Sequence, residues 1–175
     1  MHVKTDNPAV KPVNSGAKEK SVLILGLGNI LLKDEGVGVH AAKQLQGLAL
    51  PDNVEVIDGG TAAADMLLSQ EGLDKLVVID AIRAGEKPGT TYKARFKASE
   101  IDKLTRIFGG DKDLKISPHQ FGLIDALAAA EKMNRTPKEI VIIGIEPKEI
   151  NYGLELTEQV SQRIPEVVNM VLEEI

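Results

Sequence analysis

The sequence predicts an α/β layered fold, because short apolar runs alternate with amphipathic helical segments from residue 21 onward. Four runs are rich in β-branched residues and match parallel strands that are buried on both faces. They span residues 22–25, 54–57, 76–79 and 140–145. The helical segments between them span residues 35–46, 62–70 and 119–132. Strands and helices that alternate in this way pack as layers joined by right-handed crossovers.

Two segments depart from this alternation. Residues 90–96 follow a loop with the sequence Lys-Pro-Gly and alternate polar with apolar side chains, which predicts a half-exposed strand that is antiparallel or at an edge. Residues 156–175 have apolar residues at helical spacing but contain Pro165. Because proline removes a hydrogen-bond donor and clashes with the preceding turn, we expect this helix to be kinked or split.

Composition predicts a globular chain of the cytoplasm. Of the 175 residues, 43% are hydrophobic and 27% charged, which is typical of such proteins. No run approaches the roughly 18 to 20 apolar residues that span a bilayer, and the N-terminus lacks the apolar region of a signal peptide. Residues 1–20 show no periodicity and are expected to form a flexible arm, with residues 21–175 as a single catalytic domain.

The charge distribution argues against a nucleic-acid partner. The net charge is −5, although the first twenty residues are basic, so the remainder is more acidic than the total suggests. Aromatic residues make up only 3% of the chain. Binding to nucleic acid needs clustered lysine and arginine and rings for stacking. The composition therefore favours a small molecule or a protein as the partner.

Acidic residues follow the predicted strands, at the edge where ligands bind to open parallel sheets. Glu35 and Asp80 lie there, and His119 is at the start of a predicted helix. Because the chain has no cysteine, these residue types must supply any metal site, and together they form a three-ligand set for zinc or nickel. The alternative is structural: Asp34 as a helix N-cap, and Asp80 as the cap of a turn. His40 falls in mid-helix and is expected to be solvated.

A dinucleotide site is a weaker interpretation of the first loop. Gly26 and Gly28 follow a strand as in a Rossmann fingerprint, but Leu31 occupies the third glycine position. In addition, Asp34 and Glu35 lie where the helix N-terminus would receive a pyrophosphate, and two carboxylates would repel it.

Four blocks of sequence, taken in order, resemble the hydrogenase maturation endopeptidases. They are the run GLGNILLKDEGVGV at residues 26–39, DGGT at 58–61, DAI at 80–82 and SPHQ at 117–120. The resemblance extends over residues 21–175 and includes the proline in the last helix. Four separate blocks in the same order are more specific than any one of them.

The resemblance implies a three-layer α/β/α fold with a five-stranded, mostly parallel sheet. It also implies removal of a short C-terminal peptide from the large-subunit precursor of a [NiFe] hydrogenase after nickel insertion. By position, the metal-contacting residues of the family fall on Glu35, Asp80 and His119. The family's mobile loop, implicated in substrate selection, matches Asp58, Gly59, Gly60 and Thr61. A cationic nickel centre would suit the acidic edge of the sheet, and the same three residues would serve catalysis.

Two other functions are compatible with parts of the sequence. The Gly-Leu-Gly-Asn block also resembles peptidyl-tRNA hydrolases, but Ile30 and Leu31 stand where that family has Pro-Gly, and the acidic chain suits tRNA poorly. A non-catalytic docking or metal-sensing factor of hydrogenase assembly would use the same residues as the peptidase, so only turnover separates these two functions.

Overall fold

The computed structural model describes residues 21–70, 72–109 and 118–175. It contains five strands, β1 to β5 in chain order: Val22–Leu27, Val54–Gly60, Lys75–Ala81, Thr91–Lys97 and Glu139–Ile145. The helices α1 to α6 are Val37–Gln46, Ala63–Ser69, Ile101–Gly109, Pro118–Lys132, Glu158–Ser161 and Ile164–Leu172. Short 3₁₀ turns at Lys33–Gly36 and Ala98–Glu100 precede α1 and α3. The predicted N-terminal arm lies outside the described residues.

The five strands form one sheet in the order β2-β1-β3-β5-β4. Neighbours pair in parallel, except that β4 pairs with β5 in the antiparallel direction at the edge of the sheet. The four predicted parallel strands and the antiparallel edge strand are therefore confirmed, but the predicted burial on both faces is wrong for β2, which lies at the other edge of the sheet and is only partly buried. Strands β1, β3 and β5 are buried along nearly their whole length, as their uninterrupted apolar sequences require.

Helices cover both faces of the sheet, which confirms the three-layer arrangement. One face of the sheet packs Leu23 and Leu25 against α4, which contributes the fully buried Leu127. The other face packs Ile24 against Val37 of α1 and Val167 of α6. Because successive residues of a strand point to opposite faces, the continuous apolar strand β1 supplies both cores.

The C-terminal helix is split, as Pro165 predicts. Helix α5 ends at Ser161, and α6 begins at Ile164 with Pro165 in its first turn. Backbone N–H groups in the first turn of a helix have no hydrogen-bond partner within that helix, so the missing N–H of proline costs nothing there. Helix α3 was not among the predicted elements. Its apolar residues Ile101, Leu104 and Ile107 recur every three positions and pack on the core, so this spacing was the available signal.

The amino edge of the sheet, where the parallel strands begin, carries a group of paired charges that we call the amino-edge cluster. It consists of Lys75, Lys93, Arg95, Glu139 and Glu174. The Glu174 carboxylate, with its side chain 2% exposed, lies 2.6 Å from Lys93 Nζ and 2.6 Å from Arg95 Nη2. This cluster ties the C-terminal end of the chain to β3 and β4.

Among the described residues, no helix has both the length and the apolar composition that crossing a bilayer demands.

Candidate functional site

The carboxyl edge of the sheet brings Glu35 and Asp80 to neighbouring elements. Asp80 is the penultimate residue of β3 and is fully buried, and Glu35 lies in the 3₁₀ turn that follows β1 with 6% of its surface exposed. Strands β1 and β3 are adjacent, with Gly26 opposite Ile79, and the 3₁₀ turn contacts β3. The structure therefore places both predicted acids where two neighbouring parallel strands end.

Two glycines allow this close approach. A Cβ atom on Gly28 would lie 1.8 Å from the carbonyl oxygen of Glu35, and Gly28 has a φ of +127°, which other residues rarely adopt. A Cβ atom on Gly38 would lie 2.2 Å from the carbonyl oxygen of Ile79. The glycines of the first sequence block thus let the 3₁₀ turn and α1 rest directly on the ends of β1 and β3.

His119 is the second residue of α4, and its side chain lies outside those described. Helix α4 is connected to the start of β5 by residues 133–138, which places its C-terminal end at the amino edge. Its 15 residues extend about 22 Å, and the seven residues of β5 extend about 23 Å. The first turn of α4 therefore returns to the carboxyl edge of the sheet, the edge that carries Glu35 and Asp80.

Asp34 does not cap a helix, which corrects the structural alternative raised for it. Its fully buried carboxylate accepts hydrogen bonds from the backbone N–H groups of Lys148, Glu149 and Thr157 at 2.7–2.9 Å. The Thr157 hydroxyl donates a further bond at 2.9 Å. These donors are more than one hundred residues away in the chain. Asp34 therefore fastens residues 148–157 to the 3₁₀ turn that carries Glu35, a role that no local sequence pattern shows.

A second buried carboxylate, Glu146, holds the loop after β3. It lies just beyond β5 and accepts hydrogen bonds from the Tyr92 hydroxyl at 2.5 Å and from Ala84 N–H at 2.9 Å. Gly85 N–H lies 3.3 Å from its other oxygen. Burial first, and then the hydrogen bond to Glu146, raise the pKa of Tyr92, so its hydroxyl stays protonated and donates. Glu146 thereby fixes the loop that follows Asp80.

The predicted substrate loop forms the end of β2 and one wall of a cleft. Gly28 N–H donates to the carbonyl of Gly60 at 3.0 Å, which joins this loop to the first block. The cleft has a volume of about 330 Å³ and is bordered by Gly28, Asn29, Ile30, Leu31, Val39, Asp58, Gly60 and Thr61. Gly59 is the buried residue of this loop. The cleft thus opens between the loop and the segment that leads to Glu35.

His40 is only partly solvated, whereas full solvation was expected. Its Nε2 atom is buried and has no hydrogen-bond partner among the described residues. Burial, followed by the nearby charge of Lys43, lowers its pKa, and Asp58 opposes this shift. Helix α1 therefore holds a neutral histidine close to the substrate loop.

No three described side chains of histidine, aspartate or glutamate form a group that could hold a metal ion. The predicted set of Glu35, Asp80 and His119 includes a side chain outside those described, so its ligand role stays a prediction. Carboxylate oxygens and an imidazole nitrogen suit a borderline divalent cation.

Comparison with known proteins gives the family directly. The model of the hydrogenase maturation protease family matches residues 39–174. The hydrogenase 2 maturation protease of Escherichia coli is 37% identical over 153 residues, covering 86% of this chain and 88% of that protein. A hydrogenase expression/formation protein, HupD, from Bradyrhizobium diazoefficiens is 35% identical over 158 residues, covering 89% of this chain and 78% of its own length.

Solved structures agree. The hydrogenase maturating endopeptidase HybD from E. coli superposes with a TM-score of 0.77 at 35% identity, covering 88% of this chain and 91% of that one. The chain belongs to the hydrogenase maturation protease family. It is accordingly a hydrolase, a maturation endopeptidase, and the resemblance noted in its four sequence blocks is confirmed.

Proposed function

We propose that this endopeptidase removes a short C-terminal peptide from the nickel-loaded large-subunit precursor of a [NiFe] hydrogenase. The observation that supports this most directly is that two buried carboxylates, Asp80 near the end of β3 and Glu35 in the 3₁₀ turn that contacts β3, lie at the edge of the sheet where the cleft opens. A buried pair of acids favours a cation, and the nickel of a loaded precursor is one. His119, at the first turn of α4, completes the proposed set.

In this proposal the three residues recognise the substrate's nickel and thereby position the scissile bond. Hydrolysis adds water across that bond: the hydroxyl joins the carbonyl carbon, the C–N bond breaks, and the released amine takes up a proton. One of the two carboxylates accepts the proton of the water and returns it to the amine, as general acid–base catalysis requires. An empty precursor lacks the cation and is not held in place, so nickel serves as the signal for processing.

The loop of Asp58, Gly59, Gly60 and Thr61 is proposed to select the substrate. It borders the cleft on the side opposite Leu31, and its glycines leave room for an extended peptide backbone. The large-subunit precursor is therefore the proposed partner, with its C-terminal segment lying in the cleft.

The test is mass spectrometry of a large-subunit precursor from the same source, incubated with this protein with and without nickel loading. We expect loss of a defined C-terminal peptide from the loaded precursor alone. Glu35→Gln, Asp80→Asn and His119→Ala should each slow processing by at least ~100-fold. Asp125→Asn and Glu131→Gln, which change exposed acids of α4, are the matched controls and should process at the unmodified rate.

The outcomes separate the alternatives. Cleavage that does not depend on nickel would refute its role as a signal while keeping the peptidase. Binding of the loaded precursor without cleavage would support a docking factor instead. Full activity of the Glu35, Asp80 and His119 variants would disprove the proposed site, since circular dichroism and thermal melting would first establish that each variant is folded.

A further inference from the structure

Large exposed hydrophobic side chains are concentrated beside the candidate site. In the described part of the chain these side chains are Ile30, Leu31, Leu48, Met133, Tyr152, Leu154 and Ile175. Four of the seven, Ile30, Leu31, Tyr152 and Leu154, lie on two short segments at the carboxyl edge, and we call them the rim patch. Tyr152 is 87% exposed and Leu154 is 65% exposed. Single exposed hydrophobic residues need no explanation, but a group of them marks an interaction surface.

The two segments of the rim patch are joined by backbone hydrogen bonds. Gly153 N–H donates to the carbonyl of Leu31 at 3.0 Å, and Lys33 N–H donates to the carbonyl of Gly153 at 2.9 Å. Lys33 Nζ also pairs with Glu149 at 2.7 Å. The aliphatic part of Lys33 covers Gly153, where an added Cβ would lie 2.9 Å from Lys33 Cγ. The patch is therefore one built surface, and its apolar side chains are not the loose ends of separate loops.

The rim patch is continuous with the candidate site. Ile30 and Leu31 also border the cleft that contains the substrate loop, and Glu35 follows Leu31 by four residues. Asp34, next to Glu35, holds the backbone of residues 148–157 through its buried carboxylate. A protein bound to the patch therefore has a fixed position relative to Glu35, because hydrogen bonds join both segments of the patch to the turn that carries Glu35.

We infer that the rim patch is the docking surface for the folded body of the hydrogenase large-subunit precursor, an inference that rests on the proposed function. A cleft of about 330 Å³ can hold a short peptide segment but offers little contact area for binding a whole protein. Tyrosine is among the residue types that dominate binding energy at protein interfaces, and the exposed Tyr152 lies next to apolar side chains that can exclude water around it. The rim patch supplies this contact area next to the cleft.

The size of the patch favours a transient partner over a second copy of this chain. Its four side chains expose roughly 400–500 Å² in total, judged from typical side-chain areas. A stable homodimer buries about 800 Å² or more on each partner. A maturation enzyme must release each processed protein, and a patch of this size suits such turnover.

The experiment compares two double variants that each remove two exposed hydrophobic side chains. Tyr152→Ser with Leu154→Ser disrupts the rim patch, and Leu48→Ser with Met133→Ser is the matched control away from it. With nickel-loaded precursor as the probe, we expect the patch variant to raise KM at least ~30-fold, the equivalent of about 2 kcal/mol, with kcat nearly unchanged. The control should keep both constants.

Binding of the same precursor by biolayer interferometry separates this inference from the proposed function. If the unmodified protein binds the precursor but does not cleave it, the proposed function fails, and weaker binding by the patch variant still supports the docking surface. Equal binding and equal KM for the two double variants would overturn the inference. A dimer in sedimentation velocity that only the patch variant dissociates would overturn it as well, in favour of self-association.

Discussion

At the amino edge of the sheet, the Glu174 carboxylate is surrounded by lysine and arginine side chains, whereas at the carboxyl edge the buried carboxylates of Asp34 and Glu146 accept hydrogen bonds from uncharged groups. Both arrangements satisfy a buried acid. In the amino-edge cluster the partners of the carboxylate carry positive charge, but the partners of Asp34 and Glu146 are backbone N–H groups and hydroxyls, which carry no formal charge.

The comparison shows how one fold can keep its two edges different in charge. Ion pairs at the amino edge stabilise the fold. Because opposite charges offset one another there, the electrostatic field that could attract a ligand is small. At the carboxyl edge, four acids, Asp34, Glu35, Asp80 and Glu146, are buried within or next to the strand ends. Because the field of several like charges sums over a site of low dielectric, we expect this edge to attract a cation, such as the nickel of the proposed substrate.

The largest effect is expected where a buried acid is held by neutral donors. Asp34→Ala would leave three partly buried backbone N–H groups and the Thr157 hydroxyl without their acceptor, so the free energy of unfolding should fall by roughly 2–4 kcal/mol. Asp34→Asn should also destabilise, because an amide presents N–H groups to some of these donors. Urea denaturation followed by circular dichroism measures the change, and processing should slow because the turn carrying Glu35 loses its anchor.

Glu155→Ala is the control for Asp34, since it changes an exposed acid in the attached segment and should shift the free energy of unfolding by less than about 0.5 kcal/mol. A stable and fully active Asp34→Ala variant would show that residues 148–157 do not depend on this carboxylate.

A smaller effect is expected at the amino edge. Glu174→Gln removes the charge that Lys75, Lys93 and Arg95 share, and should cost roughly 1–2 kcal/mol because Arg95 is half exposed and screened. Processing of the precursor should not change, because the cluster lies at the opposite edge from the candidate site. Loss of activity in a folded Glu174→Gln variant would contradict the division between the two edges.

The Glu174 contribution should also depend on pH. Burial raises the pKa of Glu174, but the hydrogen bonds from Lys93, Lys75 and Arg95 outweigh burial and hold the pKa below its ordinary value of 4.5. The stabilisation is thus present above about pH 4.5 and is lost as the pH falls through the lower folded value. Melting curves between pH 3 and 7 should converge for the parent protein and Glu174→Gln at the acid end.

The smallest effect is expected at His40. Because the folded pKa of His40 lies below 6.5, the unfolded chain takes up its proton first, and stability falls as the pH drops below 6.5 toward the folded value. His40→Gln removes this proton uptake and should flatten the pH dependence of Tm across that window. Thermal melts in matched buffers test this, and an unchanged slope would show that His40 titrates alike in both states.

Much of the fold could be predicted, because its signals are local. Uninterrupted apolar sequences predicted the burial of β1, β3 and β5 on both faces, although the same prediction failed for the edge strand β2. Alternation in residues 90–96 predicted the antiparallel edge strand, and Pro165 predicted the split in the last helix. Helix α3 was missed because it has only nine residues, so its amphipathic pattern repeats only a few times. The solvation expected for His40 held only in part, because the pattern of one helix does not show what lies against it.

Sequence alone determined the chemistry available to this protein and its order along the chain: acids after the strands, glycines before the first helix, and no cysteine. These follow from residue type and periodicity, which the backbone enforces locally. Only the tertiary structure decided that Asp34 fastens residues 148–157, that Glu146 holds the loop after Asp80, and that the backbone of Leu31 pairs with Gly153, between Tyr152 and Leu154. Such contacts join residues more than fifty positions apart, and packing of the layers, which no local pattern encodes, brings them together.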